Sequence, residues 1–334
     1  MKLVNYVVPA GLGGNLVSLR CPSMKNAANF PPKPAGTTGF KDGFKLMYVG
    51  LLLTLCLHAA AAIIVRDDAG LTVTLQKPAQ RIISLSPAET ELLFAAGGAG
   101  HLVGVVRYSD YPEAATHLPV VADALGLDIE RIISLKPDLI VVWYEGNTAS
   151  HIEQLRQLGI PLFFGQPHHL SEIPDSVATL GQLMGTQQTA DKIAAELRGK
   201  LAELKSKYSQ RSPVRMFYQV WDQPLYTLNG QHIVSDAIRL CGGVNIFADL
   251  KTISPIVDIE SVLRLDPEAI VGTDEKNPSD GGVQMWLRYP AMAAVRHHNL
   301  FAIDGNLINR AGPRMIAGAA ALCEKLDQAR GHRQ

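Results

Sequence analysis

Short apolar runs and amphipathic helical segments alternate along most of this chain. RIISLS (81–86) is a β-branched run of strand length, and LIVVW (139–143) has the unbroken apolar character of a parallel strand covered on both faces. HLVGVV (101–106), IPLFFG (160–165), RMFYQVW (215–221), AIVG (269–272) and LFAI (300–303) read the same way, with LYTLNG (225–230) as a further strand or hairpin arm. Between them stand segments of helical spacing: TELLFAAGG (90–98), HIEQLRQLG (151–159), HIVSDAIRLCGG (232–243) and a closing RMIAGAAALCEKLDQA (314–329). Such alternation predicts parallel sheets with helices on both faces. Ser86-Pro87-Ala88-Glu89 marks a helix start, with Ser86 as N-cap, Pro87 at the first helical position and Glu89 closing a capping box. YSDYPEAATHLPVV (108–121) carries turn residues and reads as a loop.

The alternation stops from about Leu170 to Ser209, where helical spacing runs throughout, first apolar and then charged and amphipathic. It resumes at Val214. The organisation predicted is an N-terminal α/β lobe over 80–170, a linking backbone helix over 171–210 and a C-terminal α/β lobe over 213–330. The fold class is α/β: two Rossmann-like lobes with parallel central sheets, joined by a long rigid helix. One segment occurs in both lobes. DIERIISLKPDLIVV (128–142) returns 130 residues later as DIESVLRLDPEAIVG (258–272), with Glu130 matched by Glu260. Asp128 and Asp258 cap short helices, and a glutamate two residues on suits the helix dipole. That accounts for an acid at each place but not for the same acid at both. Equivalent acids on two similar lobes suit a partner with two-fold symmetry.

Composition changes the picture mainly at the N-terminus. Residues 1–46 hold five Lys and one Arg against the single acid Asp42, and show no clear periodicity. MYVGLLLTLCLHAAAAIIV (47–65) follows, apolar apart from Thr54 and His58. Lys41 and Lys45 ahead of it, a Leu-rich middle and Ala59–Ala62 after it match the parts of a secretory signal, here assigned to 47–62. The alternative is an uncleaved membrane anchor, and translation starting near Met47 would leave 1–46 as an upstream extension. Leu55 before Cys56 makes a poor lipoprotein signal. Cys21 and Cys56 fall in the part expected to be removed, leaving Cys241 and Cys323 as either a disulfide in an oxidising compartment or two buried thiols. Over the whole chain 31 basic and 31 acidic side chains cancel, so the totals imply no polyanion-binding surface.

Enzyme chemistry finds little support. A dinucleotide site needs a glycine-rich turn after the first strand, whereas Ser86-Pro87-Ala88-Glu89 stands there and Glu89 would repel phosphate. There is no CxxC, HExxH or Ser/His/Asp order. His168-His169 and His297-His298 are adjacent pairs whose side chains diverge in extended chain, so neither pair chelates a metal alone; a haem or zinc carrier would need one of them in the cleft.

SLSPAETELLFAAG, YSDYP, DIERIISLKPDLIV, CGGVNIF and NRAGPR, in this order and at these spacings, resemble the periplasmic cobalamin (vitamin B12)-binding proteins of bacterial ABC importers, over residues 80–328. Singly, these motifs are shared with siderophore and haem carriers. The resemblance implies a periplasmic binding protein with no cofactor of its own, which takes cobalamin between its lobes and docks on a dimeric ABC permease through Glu130 and Glu260. It also implies a Cys241–Cys323 disulfide. Ligand contact is expected from Tyr108, Trp143, Trp221, Asn306 and Arg310, which stand in loops at strand ends where ligands of open α/β sheets bind. Aromatic faces would cover the apolar part of a corrin, and an arginine fork would hold amide oxygens or the phosphate. Two tryptophan positions of the family are Ala124 and Ser254 here, and an acid of its last loop is Asn306.

Overall fold

Burial of both faces of each central strand explains the architecture. In a computed structural model describing residues 62–123, 126–273 and 282–333, an antiparallel hairpin comes first, β1 (Ile63–Arg66) with β2 (Thr72–Leu75). β3 (Ile82–Ser84), β4 (Leu102–Val106), β5 (Val120–Asp123), β6 (Gly126–Leu127), β7 (Leu139–Trp143) and β8 (Leu162–Gly165) form one sheet, in the order β6-β5-β4-β3-β7-β8. Its neighbours are parallel except β5 and β6. Helices α1 (Pro87–Ala95), α2 (Ile129–Ser134) and α3 (Ala149–Gln157) belong to this lobe. In the second lobe β9 (Val214–Gln219) is followed by a small hairpin, β10 (Trp221–Asp222) with β11 (Leu225–Tyr226). β12 (Gly243–Asn245), β13 (Ala269–Thr273) and β14 (Leu300–Ile303) complete a parallel sheet of order β12-β9-β13-β14.

Two helices fill the stretch between the lobes. α4 (Glu172–Met184) ends at Gly185, which takes the left-handed conformation, and α5 (Gln187–Tyr208) follows. With 22 residues α5 is the long helix, about 33 Å at 1.5 Å per residue. The linking stretch is thus a packed helix pair rather than one rod. α6 (Ile233–Leu240), α7 (Ile259–Leu265), the short α8 (Ala293–Arg296) and α9 (Gly305–Ile308), and the closing α10 (Met315–Gly331) belong to the second lobe.

Alternate side chains of one strand go to different cores. Ile82, Leu139, Val141 and Phe163 of the first sheet join Met216, Tyr218, Ala269 and Val271 of the second in a single apolar cluster. Leu180 and Leu183 of α4, Leu197 of α5 and Leu322 of α10 belong to it too. The intervening residues Ile83, Ile140, Val142 and Phe164 pack on the outer face of the first lobe, and Phe217 and Ile270 on that of the second, where Trp286 from the segment after β13 joins them. A core continuous through both lobes resists their relative motion, because close-packed interiors deform little.

The duplicated segment also repeats its contacts. Asp128 Oδ1 accepts from Arg131 N at 2.9 Å, and Asp258 Oδ1 from Ser261 N at 2.5 Å, so both predicted caps form. Arg81 donates to Leu135 O at 2.9 Å, while Arg215 donates to Leu265 O at 2.7 Å. The Asp138 carboxylate accepts from Arg81 N and the Glu268 carboxylate from Arg215 N, both at 2.9 Å. Even the left-handed residue recurs, as Lys136 (φ 47°) and Asp266 (φ 39°). Each copy clamps the start of its lobe's first parallel strand to the following helix end.

Three details differ from the sequence expectation. Val120 and Val121, assigned to a loop, begin β5, because the β4–β5 pairing buries Val121 completely. The β1–β2 hairpin precedes the expected lobe start at residue 80; its Val65, Val73 and Leu75 are buried in the shared core, a contact no local pattern reveals. The sheets are unequal, six strands against four among the described residues. The signal assigned to 47–62 and the extension 1–46, with Cys21 and Cys56, lie outside the described residues.

Candidate functional site

A cavity of about 260 Å³ lies between the lobes. Its first wall comes from the loop after β3 (Ser86–Ala88, with Glu89), from Trp143 and Glu145 at the end of β7, and from Gln166–His168 after β8. Its second wall comes from Gln231, His232 and Ile233 at the start of α6, from Ile253, and from Asn309, Arg310 and Ala311. The first wall is thus made of carboxyl ends of parallel strands and the helix start after β3, the usual ligand position in such sheets, and the second of a helix start and loops. A larger cavity of about 710 Å³ is walled by α1, α5 and α10. It meets helix sides instead of strand ends, and the candidate site is therefore the smaller one.

Trp143 carries the largest aromatic surface of the site. It is 45% exposed, and its ring lies over Gly146: a Cβ there would come 1.8 Å from Cε3 of the indole. The loop is kept in shape by Asn147 donating to Trp143 O at 3.0 Å and Glu145 N donating to Gln166 Oε1 at 2.9 Å.

Two polar groups of the cavity, Glu89 and His232, are strongly desolvated. Glu89 N donates to Ser86 Oγ at 3.1 Å, which is the forward half of the predicted capping box. The return half is not made, because the Glu89 side chain turns away from the cap into the interior beside Gly165. Glu89 is 2% exposed, and its Oε2 has no hydrogen-bond partner. Burial, and secondarily the charge of Asp68, push its carboxyl up to about 8. The Asp68 carboxyl is itself raised by burial, against a 2.6 Å hydrogen bond from Gln166 N. Burial pulls His232 down to about 4, so its ring is neutral, and Nδ1 accepts from Val234 N at 3.2 Å.

A charge network joins the two lobes beside the cavity. Arg314 grips Glu91 through two bonds, Nε to Oε2 at 2.9 Å and an NH2 nitrogen to Oε1 at 2.6 Å. Arg310 adds a 3.3 Å contact to Glu91 Oε1 and bonds Asp110 Oδ1 at 2.5 Å. The Arg314 guanidinium also stands 3.9 Å from the centre of the Tyr111 ring. Glu91, Asp110 and Tyr111 belong to the first lobe, the arginines to the second. Hydrogen bonds from Arg310 hold the Asp110 carboxyl below its ordinary range, partly offset by burial.

The predicted site residues therefore separate. Trp143 and Arg310 line the cavity, although the Arg310 guanidinium is already engaged by Asp110 and Glu91. Tyr108, Trp221 and Asn306 are exposed outside its immediate walls; Tyr108 stands in a turn with φ 68°, Trp221 sits on the β10–β11 hairpin with its Nε1 donating to Gln223 O at 3.0 Å, and Asn306, expected in a loop, lies in the short helix α9. Glu130 and Glu260 are exposed on the first turns of α2 and α7, and among the described residues neither is engaged in a hydrogen bond or ion pair. Cys241 and Cys323 are bonded, S–S 2.04 Å, tying the end of α6 to α10. Of the paired histidines, His168 reaches the cavity wall. No group of three or more His, Cys, Asp or Glu among the described residues is arranged to hold a metal ion. Ser254 is exposed, and Ala124 lies outside the described residues. The sequence did not single out Gln166, His232 or Asn309, and marked Glu89 as a cap and as a charge that would repel phosphate, not as a ligand contact. The signal for Gln166, His232 and Glu89 is position, just after a strand or at a helix start; Asn309, at the end of α9, carries none.

Two α/β lobes with a cavity between them define a two-lobed binding protein, and the chain belongs to the periplasmic binding protein family, whose profile matches residues 82–307. Curated relatives include the vitamin B12-binding protein of Vibrio cholerae serotype O1, 39% identical over 250 residues, which are 75% of this chain and 90% of that one. The vitamin B12-binding protein of Yersinia pestis (strain Pestoides F) is 38% identical over 248 residues, 74% of this chain and 86% of the relative. Among solved structures, the periplasmic vitamin B12-binding protein of Vibrio cholerae superposes with a TM-score of 0.71 at 38% identity, covering 76% of this chain and 98% of the other. A periplasmic haem-binding protein from Roseiflexus sp. RS-1 follows at 0.66 and 25% identity, covering 75% and 99%.

Proposed function

We propose that this protein is a non-enzymatic carrier that takes cobalamin between its lobes, outside the inner membrane, and delivers it to a dimeric ABC permease with its ATPase. The observation that carries the reading is the interlobe cavity, built from strand ends of the first lobe and a helix start and loops of the second and bearing Trp143, in a chain whose relatives at 38–39% identity are named for vitamin B12. A volume of about 260 Å³ is small for a corrinoid. Most of the ligand would therefore lie in the open mouth, where the exposed aromatics Tyr108 and Trp221 and the polar Asn306 can cover it. Arg310 would meet a ligand amide or phosphate by exchanging its bond to Asp110. Export fits the leader-like segment at 47–62 and the Cys241–Cys323 disulfide. No helix among the described residues is long and apolar enough to cross a membrane.

Calorimetry of the purified protein with cyanocobalamin, beside a visible spectrum of the retained ligand, is the test; one-to-one binding with a corrin spectrum is expected. Haem is the second reading, favoured by His168 at the cavity wall, and a ferric siderophore the third. Titrations with haemin and a ferric siderophore run in parallel, and tighter binding of either would replace cobalamin as the cargo.

A further inference from the structure

Among the described residues one cavity side chain is buried with an oxygen that the fold leaves unpaired. Glu89 lines the gap, is almost wholly buried, and leaves Oε2 without a hydrogen bond. A buried acceptor left unpaired is costly, so such groups are rare where nothing binds them. The space for this carboxyl is made by the chain itself. A Cβ at Gly165 would stand 2.4 Å from Oε2 and 2.5 Å from Oε1, so any residue but glycine there would expel the group.

We propose that the Glu89 carboxyl recognises a carboxamide of the bound ligand, donating its O–H to the amide carbonyl and accepting from the amide N–H through its other oxygen. This deepens the cobalamin reading and rests on it, since a corrin carries amides around its rim. The pairing needs the neutral acid, and the surroundings favour that form. Asp68, from the β1–β2 turn, faces it with like charge, and Glu145 after β7 is a second acid of the cavity. His232, at the start of α6, is neutral. His168 follows β8 and hydrogen-bonds through its main-chain N–H to Glu172, as does His169. Arg310 is held by Asp110 and Glu91. With its carboxyl raised to about 8, Glu89 keeps its proton at neutral pH and loses it in alkali.

The test is the pH dependence of binding from pH 6 to 9.5, with cyanocobalamin and, separately, haemin as probes, for the wild type, Glu89→Gln and Glu89→Ala. Wild-type affinity for cyanocobalamin should be level at low pH and fall up to tenfold per unit above about pH 8. Glu89→Gln, which keeps a donor and an acceptor without a titrating proton, should bind as tightly as the low-pH wild type at every pH. Glu89→Ala should bind more weakly at pH 6 and show no bend. Thermal melts of the variants confirm that each is folded. The assignment is overturned if wild-type binding is flat with pH or if Glu89→Gln bends as the wild type does. It is overturned too if Glu89→Ala binds as well as the wild type at pH 6. Binding of haemin but not cyanocobalamin removes the cobalamin reading and with it the amide pairing; a bend above pH 8 for haemin would show Glu89 acting on a different acceptor. Binding of neither probe overturns both.

Discussion

At the scale of single residues, burial decides what each acid does. Glu91 and Glu89 are two positions apart on one helix start and are both buried, yet one is surrounded by guanidinium groups and the other has none. The Glu91 side chain is 1% exposed, with Arg310 at 15% and Arg314 at 21%. Replacing Glu91 by Ala would leave two arginines across the lobe boundary without their partner, and a loss of about 3–5 kcal/mol is expected in urea unfolding. Glu89 works in the opposite direction. Its folded-state value is raised to about 8 from 4.5. Below the unfolded value both states hold the proton and nothing is lost. Between the two values the unfolded chain ionises while the native state keeps its proton, so stability falls as pH rises, by up to about 1.4 kcal/mol per unit, and levels off above pH 8. Glu89→Gln should thus melt higher than the wild type at pH 9 and converge with it near pH 4. The residue types were legible in the sequence, but their partners 200 residues away were not. Ser86-Pro87-Ala88-Glu89 looked like a complete capping box because local spacing cannot reveal the space beside Gly165.

Among the elements, those whose pattern is set by their own burial were legible and those set by a neighbour were not. LIVVW has no polar residue because both faces of β7 are covered, and DIE twice predicted a capped helix because the Asp side chain needs only the next turn. β5 and β12 are short strands whose identity depends on an adjacent strand, and β10–β11 depends on Trp221 leaving the sheet. The disulfide belongs to this scale. It joins α6 to α10 across a sequence separation of 82, and closing such a loop restricts the unfolded chain by about 4–5 kcal/mol in the entropic account. A Cys241→Ser, Cys323→Ser double variant should unfold at lower denaturant than the oxidised wild type, and reductant should remove the difference. The Gly146 turn is a second element-scale device. Gly146→Val would drive a side chain into the Trp143 ring and should weaken cyanocobalamin binding at least several-fold while the melting temperature shifts little.

At the scale of the described fold, one apolar cluster includes residues of both sheets and of α4, α5 and α10. A shared core holds the lobes at a set spacing, and the duplicated clamp of 128–142 and 258–272 gives each lobe the same local frame for its exposed glutamate. Because each exposed pair contributes only about 0.2–1 kcal/mol, Glu130 and Glu260 would act mainly by orientation and steering. Glu130→Arg with Glu260→Arg is expected to abolish cobalamin uptake by cells while leaving the affinity measured by calorimetry unchanged. Full uptake by the double variant would refute docking through these acids.

By itself the sequence determined the α/β alternation, the helical link between two lobes, the repeated capped segment and the two cysteines, because each is written in side chains near one another or in a period along the chain. Tertiary structure alone decided that a β1–β2 hairpin joins the core, that Arg310 is held by Asp110 and Glu91, and that Glu89 lies unpaired in the gap. Those outcomes depend on what distant segments bring to the same place, and burial sets both the protonation and the partners of a charged group only after the chain has closed around it.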